Sequence, residues 1–455
     1  MIKIEQNKIK NTKNNIDFKG APDPLFNTLN KGLKVADLFI KSQENLSSTR
    51  FIQDTATNWA PKAIFARSKA DFAEMSFLEF LESGIFYFAL PILGEKILRN
   101  KVFNNFTPKN IRKTVNEQIP KKIEEIAKNT NLSSEIKKRA TATKAGIVLA
   151  CAAIPIAEYT LSFAKNLFTL KTFKKSNFNS IANLDKNNSE KEDKTQQERV
   201  EKNAKKQLKK AGIYSALGIL AGSTLAICGH KSDKLQKISK GILEPGKVLA
   251  NGLEKIGIKN EKVKKTISKF SLDFGNDNGK LALSKGQLAL TAILGLFGYS
   301  KAAQDRGKLD VMEVWTRVPL VVFYTIFGGE MFEKSFMKQF AKNDKYKDLI
   351  KKDSLGKISV PTREQLPQLA KEVAKKNGTK VDDEFKKLLK QKTITTAIPY
   401  AFSLLFMGVS LSAITRILTQ IRYNKIKKEN NIGKQDNATM LNFEKLPKEF
   451  KAFQK

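Results

Sequence analysis

Residues 62–74 (KAIFARSKADFAE) and 301–313 (KAAQDRGKLDVME) share one thirteen-residue pattern, and this pair of stretches decides the expected fold. Both match K-A-x-x-x-R-x-K-x-D-x-x-E, and the second copy lies 239 positions after the first. We call the two stretches the elbows. Their charged positions of interest are Arg67, Lys69, Asp71 and Glu74 in the first copy and Arg306, Lys308, Asp310 and Glu313 in the second.

Two further landmarks follow each elbow in the same order. An apolar segment ends in Gly94-Glu95 or Gly329-Glu330, and a later one contains Ala-Ile-Pro-x-Ala at 153–157 or 397–401. The offsets between the copies are 239, 235 and 244 residues, so both order and spacing are kept. We interpret this as an internal duplication, with repeat one at 45–170 and repeat two at 284–425.

The apolar residues are gathered into a few dense segments, although the mean hydropathy of −0.36 is typical of soluble proteins. The longest uncharged runs are 211–229 (19 residues) and 393–415 (23 residues). A helix of that length crosses a hydrocarbon core of about 30 Å. Four further apolar segments are shorter or carry a charge: 83–94, 145–164, 286–300 and 318–329. This pattern favours an integral membrane protein over a soluble helical one.

We therefore expect an all-α, polytopic helical membrane protein with about six apolar helices, four to six of them spanning, and additional basic amphipathic surface helices. The expected apolar helices are 83–98 and 145–170 in repeat one, one within 211–283, and 286–303, 318–334 and 393–422 in repeat two. The remaining segments are a disordered basic tail (1–25) without the apolar core of a signal peptide, a charged low-complexity linker (171–210), basic amphipathic helices (within 211–283) and a charged C-terminal tail (426–455).

The chain carries a net charge of +37, from 82 basic and 45 acidic residues. Lys and Arg normally mark the cytoplasmic loops. Here they do not single out one side, because 231–285 carries thirteen Lys and 334–392 carries seventeen Lys plus Arg. If all six apolar segments cross, the two copies run in the same direction and both termini share the cytoplasmic side of the cell membrane. One re-entrant segment would invert the copies.

The basic stretch 233–257 has helical apolar spacing, with Ile238, Val248 and Leu249 among its apolar residues. A helix of this kind can lie on an anionic membrane surface. Alternatively, it covers the protein's own core and exposes a solvated Lys face. The expected partners are the lipid bilayer and its anionic headgroups, contacted through the Lys-rich loops, and a homo-oligomer is left open.

The elbows contain charge pairs at helical spacing. Arg67–Asp71 and Arg306–Asp310 are i,i+4 pairs, and Lys301–Asp305 adds a third. We expect these to be pairs on a helix surface at the membrane interface. The alternative is a gate or a site for anionic headgroups.

Glu158 is the candidate intramembrane acid. It lies fourteen residues into its apolar segment, where an ionisable group must face a partner or a water-filled interior. Its counterpart in the second copy is Phe402. The open alternatives are proton or cation coupling, or a structural pair near a helix end.

Catalytic chemistry has little support in the sequence. There is one histidine, His230, and Cys151 and Cys228 lie in apolar segments without C-x-x-C spacing. We expect no catalytic, cofactor or metal site, and no enzyme. The expected function is solute transport or membrane organisation. The alternative is a membrane-anchored basic scaffold for anionic lipid, protein or nucleic-acid partners, of which nucleic acid is disfavoured because no basic–aromatic module is present.

Overall fold

A computed structural model describes residues 23–44, 48–185, 193–257, 260–277, 280–352 and 358–444. About 82% of the protein is helical with almost no strand, which confirms the expected all-α class. The described strands form two short antiparallel ladders. Strand β1 (Gly275–Asp277) pairs with β2 (Lys280–Ala282), and β3 (Lys351–Lys352) pairs with β4 (Ile358–Ser359).

The described residues of the first half of the chain form nine α-helices. They are α1 (Lys31–Glu44), α2 (Ser48–Ile64), α3 (Lys69–Gly84), α4 (Lys109–Gln118), α5 (Ile123–Lys128), α6 (Ser134–Ala150), α7 (Ala153–Phe173), α8 (Phe178–Ile181) and α9 (Lys194–Cys228). The second part adds another nine. They are α10 (Asp233–Leu243), α11 (Pro245–Lys255), α12 (Glu261–Ile267), α13 (Lys285–Gln304), α14 (Lys308–Phe323), α15 (Gly329–Phe340), α16 (Leu366–Asn377), α17 (Val381–Ser403) and α18 (Leu411–Glu444).

Seven shorter helical segments complete the chain. The π-helical segments Ile85–Val102, Tyr324–Gly328 and Leu404–Ser410 extend α3, join α14 to α15 and join α17 to α18. The 3₁₀ segments are Pro24–Thr28, Phe103–Phe106, Asp344–Tyr346 and Arg363–Gln365.

Each elbow contains the end of one helix, a tight turn and the start of the next. In the first, the Ser68 hydroxyl accepts a hydrogen bond from the Asp71 amide at 3.1 Å and so caps α3. In the second, Gly307 lies before α14 with φ 128°, a conformation that glycine adopts without steric cost. The elbow pattern therefore joins α2 to α3 and α13 to α14.

Among the described residues, five helical rods are long and apolar enough to cross a membrane. They are Lys69–Phe106, Ser134–Phe173, Lys194–Cys228, Lys308–Phe340 and Val381–Glu429. These rods contain five of the six expected apolar segments. The sixth, 286–300, lies in α13, which is not one of the five.

The two elbows meet at one end of the core, where Arg67 Nη1 lies 2.9 Å from Glu313 Oε2. Both Gly-Glu sequences lie at the other end. There the Leu281 amide donates to Glu95 Oε2 at 3.1 Å, and Lys285, four residues further along, pairs with Glu330. We call these the elbow end and the Gly-Glu end. The helices that follow the two elbows therefore run in the same direction.

The other rods alternate in direction. Helix α7 returns to the elbow end, because Gly94 packs against Cys151 while Thr169 donates to Glu74. Helix α9 runs the opposite way. Its Asn203 donates to Asp305 at the elbow end, and its Gly222 packs against α6 at the other end.

Helix α2 is a further pass through the core, which the sequence analysis did not count because α2 is polar. Consequently α1 lies at the Gly-Glu end, where Phe39 packs against Tyr400 with ring centroids 5.8 Å apart. At the elbow end, Tyr423 of α18 packs with Phe178 and Leu309. The expectation that both termini share a side rested on six passes, whereas α1 and the packed part of α18 lie at opposite ends of the core.

The basic stretches 231–285 and 334–392 lie at the Gly-Glu end, together with the basic segment 109–140. Residues from 109–140 and 231–285 share one apolar cluster with Leu98 and Phe103. The stretch 334–392 forms a second cluster with α1 through residues of α16 and α17, including Leu366 and Phe385. The basic loops that gave no preferred side in the sequence therefore group together in the structure.

Some segment boundaries differ from those expected. The expected linker 171–210 is largely helical, since α7 ends at Phe173 and α9 begins at Lys194. Charged residues on α9 thus extend a rod that the sequence analysis placed only at 211–229. Helix α18 continues to Glu444 within the expected tail 426–455. Residues 1–22, 186–192 and 445–455, on which other parts of these predictions fall, lie outside the described residues.

Candidate functional site

The two elbows are joined by reciprocal ion pairs. Arg67 contacts Glu313 at 2.9 and 3.1 Å, and Arg306 contacts Glu74 at 3.1 Å. Because Arg67 corresponds to Arg306 and Glu74 to Glu313, each copy supplies the arginine for the other copy's glutamate. This exchange is the interaction that a two-fold axis between the copies would generate.

Each arginine also contacts the aspartate of its own elbow. Arg67 Nε lies 3.1 Å from Asp71 Oδ2, and Arg306 Nε lies 3.2 Å from Asp310 Oδ2. The second contact is an ion pair whose geometry does not make a hydrogen bond. Two of the three expected i,i+4 pairs are thus present, but not within one helix as expected, because Arg67 and Arg306 lie in the turns before α3 and α14. The expected Lys301–Asp305 pair is wrong, since Lys301 is exposed and Asp305 accepts a hydrogen bond from Asn203 at 2.8 Å.

The elbow charges are buried, which corrects the expectation of pairs on an exposed helix surface. Arg306 is 2% exposed and Asp310 is 5% exposed. Both arginines also lie beside the ring of Phe178, with guanidinium carbons 5.2 and 5.8 Å from its centroid. Only Lys69 and Lys308, of the eight candidate elbow residues, point to the surface.

Side chains from α7 and α18 complete this network, and they were not among the predicted site residues. Arg416 Nη1 lies 2.5 Å from Asp71 Oδ2, and Lys165 Nζ lies 3.6 Å from Glu74 Oε2. Asn166 accepts a hydrogen bond from Arg306 at 2.9 Å. The polar Lys165 and Asn166 in an otherwise apolar helix were an available signal. Nothing in the sequence pointed to Phe178.

The network balances its charges. Its cations are Arg67, Lys165, Arg306 and Arg416, and its anions are Asp71, Glu74, Asp310 and Glu313. Although burial disfavours charge on both arginines, the neighbouring carboxylates outweigh burial and raise the pKa values of Arg67 and Arg306. The two guanidinium groups therefore remain charged.

A cavity of about 380 Å³ lies beside the network, between the two copies. Its volume is within the range of small-molecule sites, about 300–1,000 Å³. Helices α2, α3 and α7 of the first copy and α13, α14 and α17 of the second all contribute to its wall. Besides members of the network, its charged lining residues are Arg50, Asp54, Lys62, Glu79, Glu82, Glu158, Arg317 and Glu333.

Glu158 lines this cavity and is 4% exposed. Its Oε2 atom is enclosed and accepts no hydrogen bond from the described residues. The side chain lies against Gly295 of α13, where an added Cβ would be 3.1 Å from the Glu158 Cγ. The predicted intramembrane acid is therefore placed at the cavity wall without an ion-pair partner among the described residues.

Lys62 of α2 also lines the cavity and pairs with Glu79 of α3.

The fold and the site define an all-α protein with five candidate membrane-spanning rods and a buried charged junction beside a cavity. No group of three or more potential metal ligands occurs among the described residues, and Cys151 and Cys228 are free thiols. No protein-family model matches the chain, and neither the curated proteins nor the solved structures contain a match.

Proposed function

We propose that this chain is an integral membrane protein whose core consists of two copies of one three-helix unit. The first unit contains α2, α3 and α7, and the second contains α13, α14 and the rod formed by α17 and α18. Three features support the duplication: the repeated elbows, the reciprocal Arg–Glu pairs and the common direction of the two Gly-Glu helices. Together they favour a parallel repeat about an axis along the membrane normal.

Membrane insertion is supported by the distribution of apolar and basic residues. The rods leave large apolar side chains exposed, among them Leu220, Phe327 and Leu405 at 65%, 57% and 57%. The stretches 231–285 and 334–392, with thirteen and seventeen Lys plus Arg, lie together at the Gly-Glu end, whereas the basic segment 194–210 at the elbow end carries seven. Because Lys and Arg accumulate on the cytoplasmic side, we assign the Gly-Glu end to the cytoplasm and the elbow end to the opposite face of the cell membrane.

Carbonate extraction tests insertion. The protein should remain in the membrane pellet, as an integral protein does. Its release into the soluble fraction would contradict the membrane assignment.

The cavity between the copies favours solute transport over a purely structural membrane role. A cavity lined by charged side chains from both units can hold a polar solute inside an apolar bundle. Movement of one unit against the other would then change which end the cavity faces. The reciprocal ion pairs lie across this boundary, so their breaking and making would accompany such a movement. The main support for solute transport is the charged cavity at the boundary between the two units.

Cysteine accessibility tests the transport proposal. In a variant with Cys151 and Cys228 replaced by alanine, Ser83→Cys or Thr396→Cys places a thiol in the cavity wall. A membrane-impermeant thiosulfonate should modify these thiols in sealed vesicles. The matched control is Ile293→Cys, because Ile293 is 42% exposed on the outside of α13 and should lie in lipid. If neither cavity thiol reacts from either side of the membrane, the cavity is not a solute path.

A second function, binding of an anionic bilayer surface, is favoured by helices α10–α12. The buried face of α10 carries Gln236, Ser239 and Leu243, and Leu243 belongs to the main apolar cluster, so these helices cover part of the core. Five large apolar residues of this region point outward: Ile238, Val248, Leu249, Ile256 and Val263, which are 53%, 57%, 56%, 73% and 41% exposed. Covering the core does not account for these five residues. An apolar surface flanked by lysines matches an anionic lipid–water interface.

Lipid contact can be measured at one position of this surface. A fluorophore attached at Leu249→Cys should be quenched by spin-labelled lipids when the full-length protein is reconstituted. The same fluorophore at Asn251→Cys, an exposed residue about half a helical turn away, is the control. Adding anionic lipid should increase quenching at 249 relative to 251. Equal quenching at both positions would refute this second function.

A further inference from the structure

We infer that Glu158, with Glu82 opposite it, forms a binding site for a proton or a small monovalent cation within the cavity. This inference rests on the proposed transport function and names the ion that would couple to it. It starts from the position of the Glu158 carboxyl group, which is almost completely enclosed yet has one oxygen without a hydrogen-bond donor.

Five of the six described basic residues that line the cavity pair with other carboxylates, and Arg317 is the exception. Lys62 pairs with Glu79, Arg416 with Asp71, and Arg306 with Glu74 and Asp310. The charged group that acts on Glu158 is Glu82, which has the same sign. Two carboxylates in one enclosed space repel each other unless a positive charge lies between them or one of them is protonated.

The remaining titratable and charged side chains at this wall do not supply that positive charge. Tyr299 of α13 is neutral when protonated. Arg317 of α14 also lines the cavity, but neither it nor any other described donor makes a hydrogen bond to the enclosed Glu158 Oε2. A buried charge without a partner is costly, so a proton or a cation from solution must complete the site.

The local packing is built around the carboxyl group. At Gly295, any larger residue would fill the space next to the carboxylate, since a Cβ there would lie 3.3 Å from Glu158 Oε1. In the second copy, the counterpart of Glu158 is Phe402, whose ring packs against Phe332 with centroids 4.7 Å apart. Glu158 therefore has no acidic counterpart at the equivalent position of the second repeat.

Dicyclohexylcarbodiimide tests this inference, because it adds covalently to protonated carboxyl groups in apolar surroundings. The full-length protein is treated in detergent micelles at a series of pH values, and mass spectrometry of its peptides gives the rate at Glu158. We expect Glu158 to react much faster than Glu135, a surface carboxylate paired with Arg139. The rate should fall as the pH rises, about tenfold per unit above the midpoint.

Sodium, potassium and lithium chloride distinguish the two ions. Protection of Glu158 by one of these salts, relative to choline chloride, identifies a cation site, whereas no protection identifies a proton site. Glu82→Gln removes the neighbouring negative charge, so Glu158 should lose its proton at lower pH. A midpoint lower by one unit means about tenfold slower labelling at a fixed pH above the midpoint.

The inference is overturned if Glu158 reacts no faster than Glu135 at any pH, or if Glu82→Gln leaves the pH profile unchanged. The Glu82→Gln variant keeps Glu158 itself, so the test does not depend on whether a protein substituted at Glu158 folds. The outcome is also separate from the transport proposal. Inaccessible cavity cysteines would remove transport while leaving a protonatable Glu158 in place, and accessible cysteines with an unreactive Glu158 would remove only the ion site.

Discussion

Replacing Arg306 by methionine should destabilise the protein by about 3 kcal/mol. The arginine side chain is 1% exposed and contacts Glu74, Asp310 and Asn166. Methionine has similar length but no charge, so the substitution leaves two buried carboxylates without their partner. Removing one member of a buried ion pair typically costs about 3–5 kcal/mol. We choose the lower value because Lys165 stays near Glu74.

The corresponding residue of the other copy is the matched control. Arg67 is 14% exposed in its side chain, and its neighbour Asp71 keeps Arg416 at 2.5 Å. Arg67→Met should therefore cost less, in the lower part of the range of about 1–3 kcal/mol for leaving one buried polar group unsatisfied. The difference between two residues at equivalent sequence positions follows from the structure alone.

The protein carries its own probes for this measurement. Its two tryptophans flank the elbows: Trp59 donates to Ser76 at 2.8 Å and Trp315 donates to Ser300 at 2.9 Å. Tryptophan fluorescence during unfolding of the purified protein by sodium dodecyl sulfate in mixed micelles would give the free energies.

A double variant gives the refuting test. Arg306→Met combined with Glu74→Gln should recover at least part of the loss, because contacting residues are coupled by about 0.5–3 kcal/mol. A loss below about 0.5 kcal/mol for Arg306→Met, the usual range of surface substitutions, would show that the buried network does not hold the copies together.

Two further predictions concern packing and topology. Gly298→Ala should cost about 1–3 kcal/mol, because its Cβ would lie 2.1 Å from a backbone carbonyl oxygen of α7, whereas Gly212→Ala, with nothing within 4 Å, should be tolerated in the same unfolding assay. Reporter fusions at residues 190 and 440 should signal from the same side of the membrane, and an N-terminal fusion from the opposite side. A shared side for all three would remove α2 as a pass.

The Arg–Asp pair within each elbow could be predicted from the sequence, but the Arg–Glu pairs between the two elbows could not. Arg67 and Asp71 are only four residues apart, and this short separation is enough to predict that their side chains pair. Arg67 and Glu313 are 246 residues apart, and their pairing depends on how the two repeats pack against each other. The spacing of residues along the sequence contains no information about that packing. For the same reason the expected exposure of these charges was wrong, because burial here comes from the other copy.

The helical content was predictable because apolar segments of sufficient length dominate the sequence. Helix α2 was missed as a pass because its polar residues line the cavity and the copy boundary, where charge is tolerated, instead of facing lipid. The Lys301–Asp305 pair fits helical spacing equally well, yet Asp305 binds Asn203 of α9 instead. Spacing gives the candidates for a contact, and tertiary packing chooses among them.

The reciprocal pairing of the elbows has a consequence for the origin of the chain. In a single unit expressed alone, the arginine and the glutamate of the elbow would lack the partners that belong to the other unit. Two identical units could satisfy each other, because an isologous interface pairs the same two residues twice across its symmetry axis. If the two units arose by duplication, as we propose, this arrangement is the one expected of a homodimer whose subunits became joined in one polypeptide. Phe178 breaks this symmetry, because a single ring from the segment between the two units lies beside both Arg67 and Arg306.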